Sequence, residues 1–266
     1  MNAFSQTIET AANQTEDSPG NAVGSKVPEV AFTFWLIKIM ATTLGETGGD
    51  AMSMSLDLGY AVSTVIFFAI FLGAAVAQVR AKAYHPFLYW GVIIATTTVG
   101  TTMSDYLTRT AGLGYVGASL LMFAILMGIL ATWYFTLGSV SVKQITNPKA
   151  EMFYWVAILF SQTLGTALGD SLADTSGFGY GGGALVFGSA LAVVAAVYLF
   201  TKASRTALFW LAFILTRPLG ATLGDLLTKP VAEGGANLSR ITSTLVIAVF
   251  IGIAIVFTSR KNKLEH

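Results

Sequence analysis

Four copies of one pattern run through the chain and constrain its fold more than any other feature. Each copy reads Trp, nine residues, Gly, three residues, a small residue, Asp, eight residues and Gly. The copies begin at Trp35, Trp90, Trp155 and Trp210, and their aspartates are Asp50, Asp105, Asp170 and Asp225. A fixed internal period is typical of proteins built from repeated structural units. The chain is therefore predicted to fold as four related units.

The composition predicts a membrane protein. The chain is 54% hydrophobic and only 11% charged, whereas a soluble domain carries about 25% charged residues. A net charge of +1 without a basic arm indicates no nucleic-acid partner. The chain has no cysteine and two histidines, which leaves no material for a thiolate site, a histidine-rich metal site or a catalytic triad. We therefore predict that the protein is not an enzyme.

Eight apolar stretches have about the 20 residues that a helix needs to cross a bilayer. They cover residues 28–49, 59–79, 86–104, 115–137, 150–169, 181–200, 206–224 and 238–257. The predicted fold is an all-α integral membrane protein, whose eight transmembrane helices form four parallel helical-hairpin repeats, pseudo-symmetric about the membrane normal. The aspartate spacings group these repeats into two halves, 27–142 and 143–259. Residues 1–26 are predicted to be a disordered cytoplasmic tail, and 260–266 a basic tail with a tag remnant.

The basic residues predict the orientation. Most flank the connections between hairpins or the C-terminus, namely Arg80, Lys82, Lys143, Lys149, Lys202, Arg205, Arg260, Lys261 and Lys263. The loops inside the hairpins carry only Arg109, Lys229 and Arg240. Because basic loops stay in the cytoplasm, both termini are predicted to be cytoplasmic, with the aspartate-bearing helix ends on the outer side.

The residues four positions beyond the aspartates divide the repeats into two kinds. These residues are Met54, Arg109, Asp174 and Lys229. Residues four apart share a helix face, so Arg109 is expected to neutralise Asp105, and Lys229 to neutralise Asp225. Repeats one and three have no such partner.

The unneutralised acids of repeats one and three are the predicted binding site. They are Glu46, Asp50, Asp170 and Asp174. Adjacent carboxylates need a cation or a proton between them, and carboxylate oxygens suit hard divalent ions. We predict that these four converge on one site, with Asp105 and Asp225 as further ion-binding candidates. A divalent cation is the only bound group that the sequence suggests.

Two basic residues lie inside predicted spans. Lys38 is in the middle of the first, and Arg217 precedes Gly220 by three residues. A charge inside a span usually faces the bundle interior and pairs. They are either structural ion-pair partners of the acids or counter-charges released when a cation or proton binds. A third interpretation is that they bind an anionic substrate.

The remaining repeated residues are predicted to be structural. The small-residue pairs are Gly45 and Gly49, Gly100 and Ser104, Gly165 and Gly169, and Gly220 and Gly224. Such pairs let helices approach closely. The tryptophans suit either an interfacial belt or packing, with contact to substrate as the alternative. The last glycine of each copy suits a turn.

The stretches LGETGGDAMSM, TTVGTTMSDYLTR, SQTLGTALGDSLAD and RPLGATLGDLLTKP resemble a bacterial family of uncharacterised membrane-anchored proteins. That family is built from repeats of a domain of unknown function, number 347. The resemblance covers about residues 27–257 and implies a multi-pass protein of the bacterial inner membrane. It implies no activity.

The sequence therefore predicts a membrane transporter of cations, with a divalent metal such as Mn²⁺ or Mg²⁺ as substrate. Its partners are the lipid bilayer and the small cation, and a homo-oligomer is left open. One alternative is a proton-coupled carrier of a small organic molecule. Another is a non-transporting scaffold or sensor in which the aspartates anchor loops.

Overall fold

The computed structural model describes residues 26–264, except 143, 144, 146 and 176. These residues form eight long helices, which are α1 (Phe32–Asp50), α2 (Gly59–Arg80), α3 (Pro86–Asp105), α4 (Gly114–Leu137), α5 (Pro148–Thr175), α6 (Gly179–Phe200), α7 (Arg205–Thr228) and α8 (Arg240–Leu264). Short π-helical segments, Ala51–Ser55 and Tyr106–Thr110, prolong α1 and α3, and a 3-10 turn, Val231–Glu233, follows α7. Residues 1–25 of the predicted tail, residues 265–266 of the predicted tag remnant and the basic residue Lys143 lie outside the described residues.

The helices that carry the Trp and Asp of each repeat form an inner ring. Helix α1 packs against α3 and α7, and α5 completes the ring by packing against the same two. The other four helices lie outside this ring. Each outer helix packs mainly on the inner helix of the following repeat, so that α2 lies on α3, α4 on α5, α6 on α7 and α8 on α1. Helices joined in a hairpin are therefore not each other's main packing partners.

The inner and outer helices differ in composition because they differ in how much of their surface other helices cover. Six helices are long and apolar enough to cross a membrane, namely all four outer helices together with α5 and α7. The apolar windows of the outer helices are only 11% to 22% buried, against 72% for α5 and 61% for α7. Exposed apolar helices suit lipid, whereas the inner helices α1 and α3 carry threonines and charges that face protein. The architecture is that of a multi-pass membrane protein.

Repeated glycines lock the inner ring together. A Cβ atom added to the first glycine of each pair would lie 2.1 to 2.8 Å from a side chain of a neighbouring helix. The glycines and their partners are Gly45 with Thr97, Gly100 with Gln162, Gly165 with Arg217, and Gly220 with Thr42. Each contact joins one repeat to the next, and the last joins repeat four to repeat one. The predicted close approach of the motif-bearing helices is confirmed.

The backbone conformation explains the final glycine of the pattern in all four copies. Gly59, Gly114, Gly179 and Gly234 have φ values of +71°, +63°, +64° and +86°. Glycine adopts this left-handed region at little cost because it has no Cβ. The predicted turns are therefore confirmed.

The tryptophans belong mainly to the core. Trp90, Trp155 and Trp210 are buried, and the rings of Tyr89 and Trp155 lie 5.6 Å apart. The interfacial-belt interpretation is wrong for these three because protein covers their rings, and packing is the role that the structure gives them. Trp35 is half-buried.

Candidate functional site

Four buried aspartates form a layer at one end of the inner ring. Asp50, Asp105, Asp170 and Asp225 occupy the same position in the four repeats, and each is at most 3% exposed. Asp50 and Asp105 are the last α-helical residues of α1 and α3. Helices α5 and α7 continue beyond their aspartates. The layer therefore combines burial with the helix ends where the chain turns back.

Lys229 connects the aspartates of repeats four and one. Its Nζ lies 3.2 Å from Asp225 Oδ1, as the spacing of four predicts, and 3.1 Å from Asp50 Oδ2. Arg240 Nε lies 3.6 Å from the same Asp50 oxygen. Burial alone would lower the pKa of Lys229, but Asp225 and Asp50 raise it above its ordinary value. The ammonium therefore stays charged between the two acids.

Arg109 connects the aspartates of repeats two and three in the same way. Its Nε lies 3.0 Å from Asp105 Oδ1, which confirms the predicted pair. Its Nη2 lies 3.7 Å from Asp170 Oδ2 and 3.7 Å from Asp174 Oδ2. The Tyr115 hydroxyl donates a hydrogen bond to Asp174. One guanidinium therefore lies within ion-pair distance of three carboxylates.

The prediction that repeats one and three leave their acids unneutralised is wrong. Lys229 and Arg109 each reach the aspartate of the following repeat, Asp50 and Asp170. This happens because inner helices of successive repeats are neighbours in the closed ring, so a side chain spans both. The two cations are therefore related by pseudo-twofold symmetry, whereas the four repeats that carry them are related by pseudo-fourfold symmetry.

Arg217 and Glu46 form an ion pair at the centre of the ring. Arg217 Nη2 donates to Glu46 Oε2 at 2.9 Å and to Thr101 Oγ1 at 2.6 Å. Thr101 belongs to α3, which is not next to α7 in the ring, so Arg217 reaches across the centre. The expected pairing of Arg217 with one of the acids is confirmed.

Lys38 has no acid beside it. Within the described residues no carboxylate lies in ion-pair distance of its Nζ, which instead lies 4.1 Å from the centre of the Phe213 ring. The interpretation that Lys38 neutralises an acid is therefore wrong. The side chain is fully buried, and an aromatic face rather than a carboxylate is its neighbour.

Three carboxylates come close enough to share an ion. Oxygens of Glu46, Asp50 and Asp225 all lie within 4.8 Å of one another, and all three residues are buried. The four predicted ligands therefore separate. Glu46 and Asp50 join Asp225, whereas Asp170 and Asp174 surround Arg109 on the other side. We call the first group the carboxylate triad.

A cavity of about 560 Å³ opens onto the aspartate layer. Its lining residues are Met54, Arg109, Ala173, Asp174, Tyr180, Lys229, Pro230, Glu233 and Arg240. Three of them are the cations that hold the buried aspartates. The cavity thus reaches Asp174 directly and reaches the other acids through their counter-charges.

Sequence reasoning missed three features of this site. Thr101 occupies the position of Glu46 in the second repeat, so comparison of the four repeats could have indicated it. The second contact of Lys229 follows from ring closure, which spacing along one helix does not reveal. Arg240 stands outside the repeated pattern and gave no signal beyond its charge.

The fold and the site together define a helical, four-repeat membrane protein with a buried carboxylate layer. The chain belongs to the family described as Repeat of Unknown Function (DUF347), whose profile matches residues 33–84, 88–139, 153–204 and 208–263. These matches correspond to the four repeats. Neither the curated proteins nor the solved structures contain a match to this chain.

Proposed function

We propose that this protein is a membrane transporter of cations, with a divalent metal such as Mn²⁺ or Mg²⁺ as its substrate. The observation that carries the proposal is the carboxylate triad of Glu46, Asp50 and Asp225, with oxygens within 4.8 Å of one another. Hard cations prefer carboxylate oxygens. Three such groups buried together also supply the negative charge that offsets the loss of part of the ion's water shell.

Lys229 would compete with the cation for the carboxylates of Asp50 and Asp225. Its ammonium lies against Asp50 and Asp225, and it also lines the cavity that opens onto the layer. A cation that arrives through this cavity would displace Lys229 from the two acids. The displaced ammonium has Glu233 in the same cavity lining as a nearby alternative partner.

Arg217 is the proposed counter-charge further along the ring. Arg217 neutralises Glu46 and blocks the centre by reaching from α7 to α3. If Arg217 released Glu46, the Glu46 carboxylate would become free to bind the cation. The Arg217 side chain would leave the centre of the ring in the same movement. The group around Arg109 holds Asp105, Asp170 and Asp174, and it is the second ion-binding candidate.

All eight helices are proposed to cross the bilayer. Helices α1 and α3 have 19 and 20 residues, which at 1.5 Å per residue span about 30 Å. Both termini are proposed to face the cytoplasm, because most basic residues flank the connections between hairpins and the C-terminus, and the proposed membrane is the bacterial inner membrane. Arg109, Lys229 and Arg240 do not weaken this assignment, because each is paired with a buried aspartate.

The test is flux of a metal panel into proteoliposomes that contain the purified protein. We expect Mn²⁺ or Mg²⁺ uptake that falls at least about tenfold in Asp50→Asn and Asp225→Asn, which corresponds to about 1.4 kcal/mol or more of lost binding or barrier lowering. The matched control is Asp57→Asn, an exposed residue with positive φ that asparagine tolerates. Equal flux in all three variants would contradict the proposal, and so would the absence of any metal flux in the unsubstituted protein.

One observation favours a second candidate, a proton-coupled carrier of a small organic molecule. The cavity of about 560 Å³ is much larger than a bare ion. It also has both charge signs in its lining, with Asp174 and Glu233 beside Arg109, Lys229 and Arg240. A zwitterionic molecule suits such a lining. Substrate-dependent pH changes without metal dependence would select this candidate over metal transport.

A non-transporting scaffold remains the third candidate. The tight glycine contacts of the inner ring support it, because they describe a well-packed centre. Flux assays negative for both metals and organic zwitterions, with unchanged thermal stability under metal titration, would select it.

A further inference from the structure

A second polar cluster lies deeper in the ring, and Arg217 connects it to the carboxylate triad through Glu46. Lys38, Gln162 and Arg217 are each 0% exposed. Lys38 Nζ, both side-chain polar atoms of Gln162, and Nε and Nη1 of Arg217 have no hydrogen-bond partner among the described residues. Buried polar atoms are nearly always paired. Several unpaired donors in one place therefore indicate a ligand that accepts hydrogen bonds.

The packing brings these three side chains to the same region of the ring. Lys38 Nζ lies over the Phe213 ring, and Phe213 is one helical turn before Arg217 on α7. A Cβ added to Gly165 would lie 2.5 Å from Arg217 Cβ, and Gln162 is three residues before Gly165 on α5. The three donors therefore lie on three inner helices that pack together, at positions within about one helical turn of one another.

The charge of this region determines the sign of the ligand. Glu46 neutralises Arg217, but no acid of the described residues forms an ion pair with Lys38. A buried charge without a counter-ion is costly. One negative charge placed between the two side chains would remove that cost.

We propose that a monovalent inorganic anion such as chloride binds between Lys38, Arg217 and Gln162. Lys38 supplies the unmatched positive charge, and the free guanidinium N–H groups and the Gln162 amide supply further donors. Phe213, which contacts Lys38, and Ile93 and Ile158, which occupy the position of Lys38 in repeats two and three, are fully buried and apolar, which favours a small ion with a weakly held water shell. The site uses the Arg217 nitrogens that do not contact Glu46, together with Lys38 and Gln162, and it does not depend on the proposed transport of cations.

The test measures the melting temperature of the full-length protein in detergent while chloride replaces gluconate at constant ionic strength. We expect the melting temperature of the unsubstituted protein to rise and then level off, because ligand that binds only the folded state stabilises it. Lys38→Met should abolish the rise. Lys202→Met, which changes an exposed lysine, should keep it.

Gln162→Glu tests the same site with a variant that supplies the negative charge covalently. It should melt at a higher temperature than the unsubstituted protein in gluconate and should no longer respond to chloride. Asp225→Asn should keep the full chloride response, because it alters only the carboxylate triad. A loss of response in Asp225→Asn would overturn the proposal by showing that chloride acts through the triad.

Iodide quenching provides a readout that needs no variant. The Trp210 and Phe213 rings lie 6.0 Å apart, so an iodide ion next to Lys38 is close to Trp210. We expect a saturable quenching component that chloride suppresses. Purely linear quenching, a melting temperature indifferent to chloride, or an equal response in Lys38→Met would each overturn the proposal.

Discussion

The glycine contacts of the inner ring predict a large difference between two alanine substitutions in the same helix. In Gly45→Ala the new Cβ would lie 2.2 Å from Thr97 Oγ1, 2.4 Å from Thr97 Cβ and 3.0 Å from the Thr97 carbonyl carbon. Carbon atoms in contact prefer about 3.5 to 4.0 Å. Rotation of the Thr97 side chain cannot relieve the clash with Cβ and the backbone. Helices α1 and α3 must therefore separate.

Gly48→Ala is the matched control. The nearest atom to its new Cβ would be Thr244 Cγ2 at 3.5 Å, which is an ordinary contact. Both substitutions gain the same helix propensity, about 1 kcal/mol for alanine over glycine. The difference between them therefore isolates the overpacking cost, which is about 1–3 kcal/mol.

The assay is thermal unfolding of the purified variants under identical detergent conditions. A change of 1 kcal/mol shifts Tm by about 2–4 °C in a chain of this size, so Gly45→Ala should melt about 2–12 °C below Gly48→Ala. Thr97→Gly removes the side chain and leaves only the backbone contact, so it should partly rescue Gly45→Ala in a double-mutant cycle. Equal Tm values for the two alanine variants, or additive effects in the cycle, would refute the interlocked ring.

Two further predictions concern buried polar groups. Lys229→Met leaves Asp50 and Asp225 without their shared cation and should destabilise the fold by about 3–5 kcal/mol. Divalent metal should raise the melting temperature of this variant more than that of the unsubstituted protein, and equal metal shifts would contradict the role of Lys229 as a competitor. Tyr89→Phe breaks the 2.6 Å hydrogen bond between the hydroxyls of Tyr89 and Tyr154 and should cost about 1–3 kcal/mol in chemical unfolding. The double variant with Tyr154→Phe should cost less than the sum of the two single changes, and strict additivity would show that the hydroxyls are not coupled.

The helices and the turn positions could be predicted from the sequence because their signals are local. The predicted stretch 59–79 corresponds to Gly59–Arg80, and 86–104 to Pro86–Asp105. The largest differences are at the ends of α8, which continues to Leu264 instead of 257, and of α5, which continues to Thr175 instead of 169. The polar end of α5 resembles a loop in a hydropathy profile, although other parts of the protein cover much of it.

The partners of the charged groups could be predicted only within one helix. The pairs of Arg109 with Asp105 and of Lys229 with Asp225 follow from a spacing of four residues. The contacts of the same cations with the next repeat depend on ring closure between residues as far apart as Asp50 and Lys229. The position of Lys38 against an aromatic ring rather than an acid depends likewise on the way α1 meets α7.

The arrangement of charges gives a physical reason why four similar repeats carry different side chains. If every repeat had a cation four residues beyond its aspartate, each acid would be neutralised locally and none would need an external ion. With cations in alternate repeats only, each cation pairs with the repeated aspartates of two successive repeats, so its displacement would remove a partner from both at once. The addition of Glu46 to one of these pairs produces three carboxylates in one place. Under the proposed function, a divalent cation would replace a single ammonium with a net gain of one unit of positive charge, and movement of Lys229 should accompany its binding.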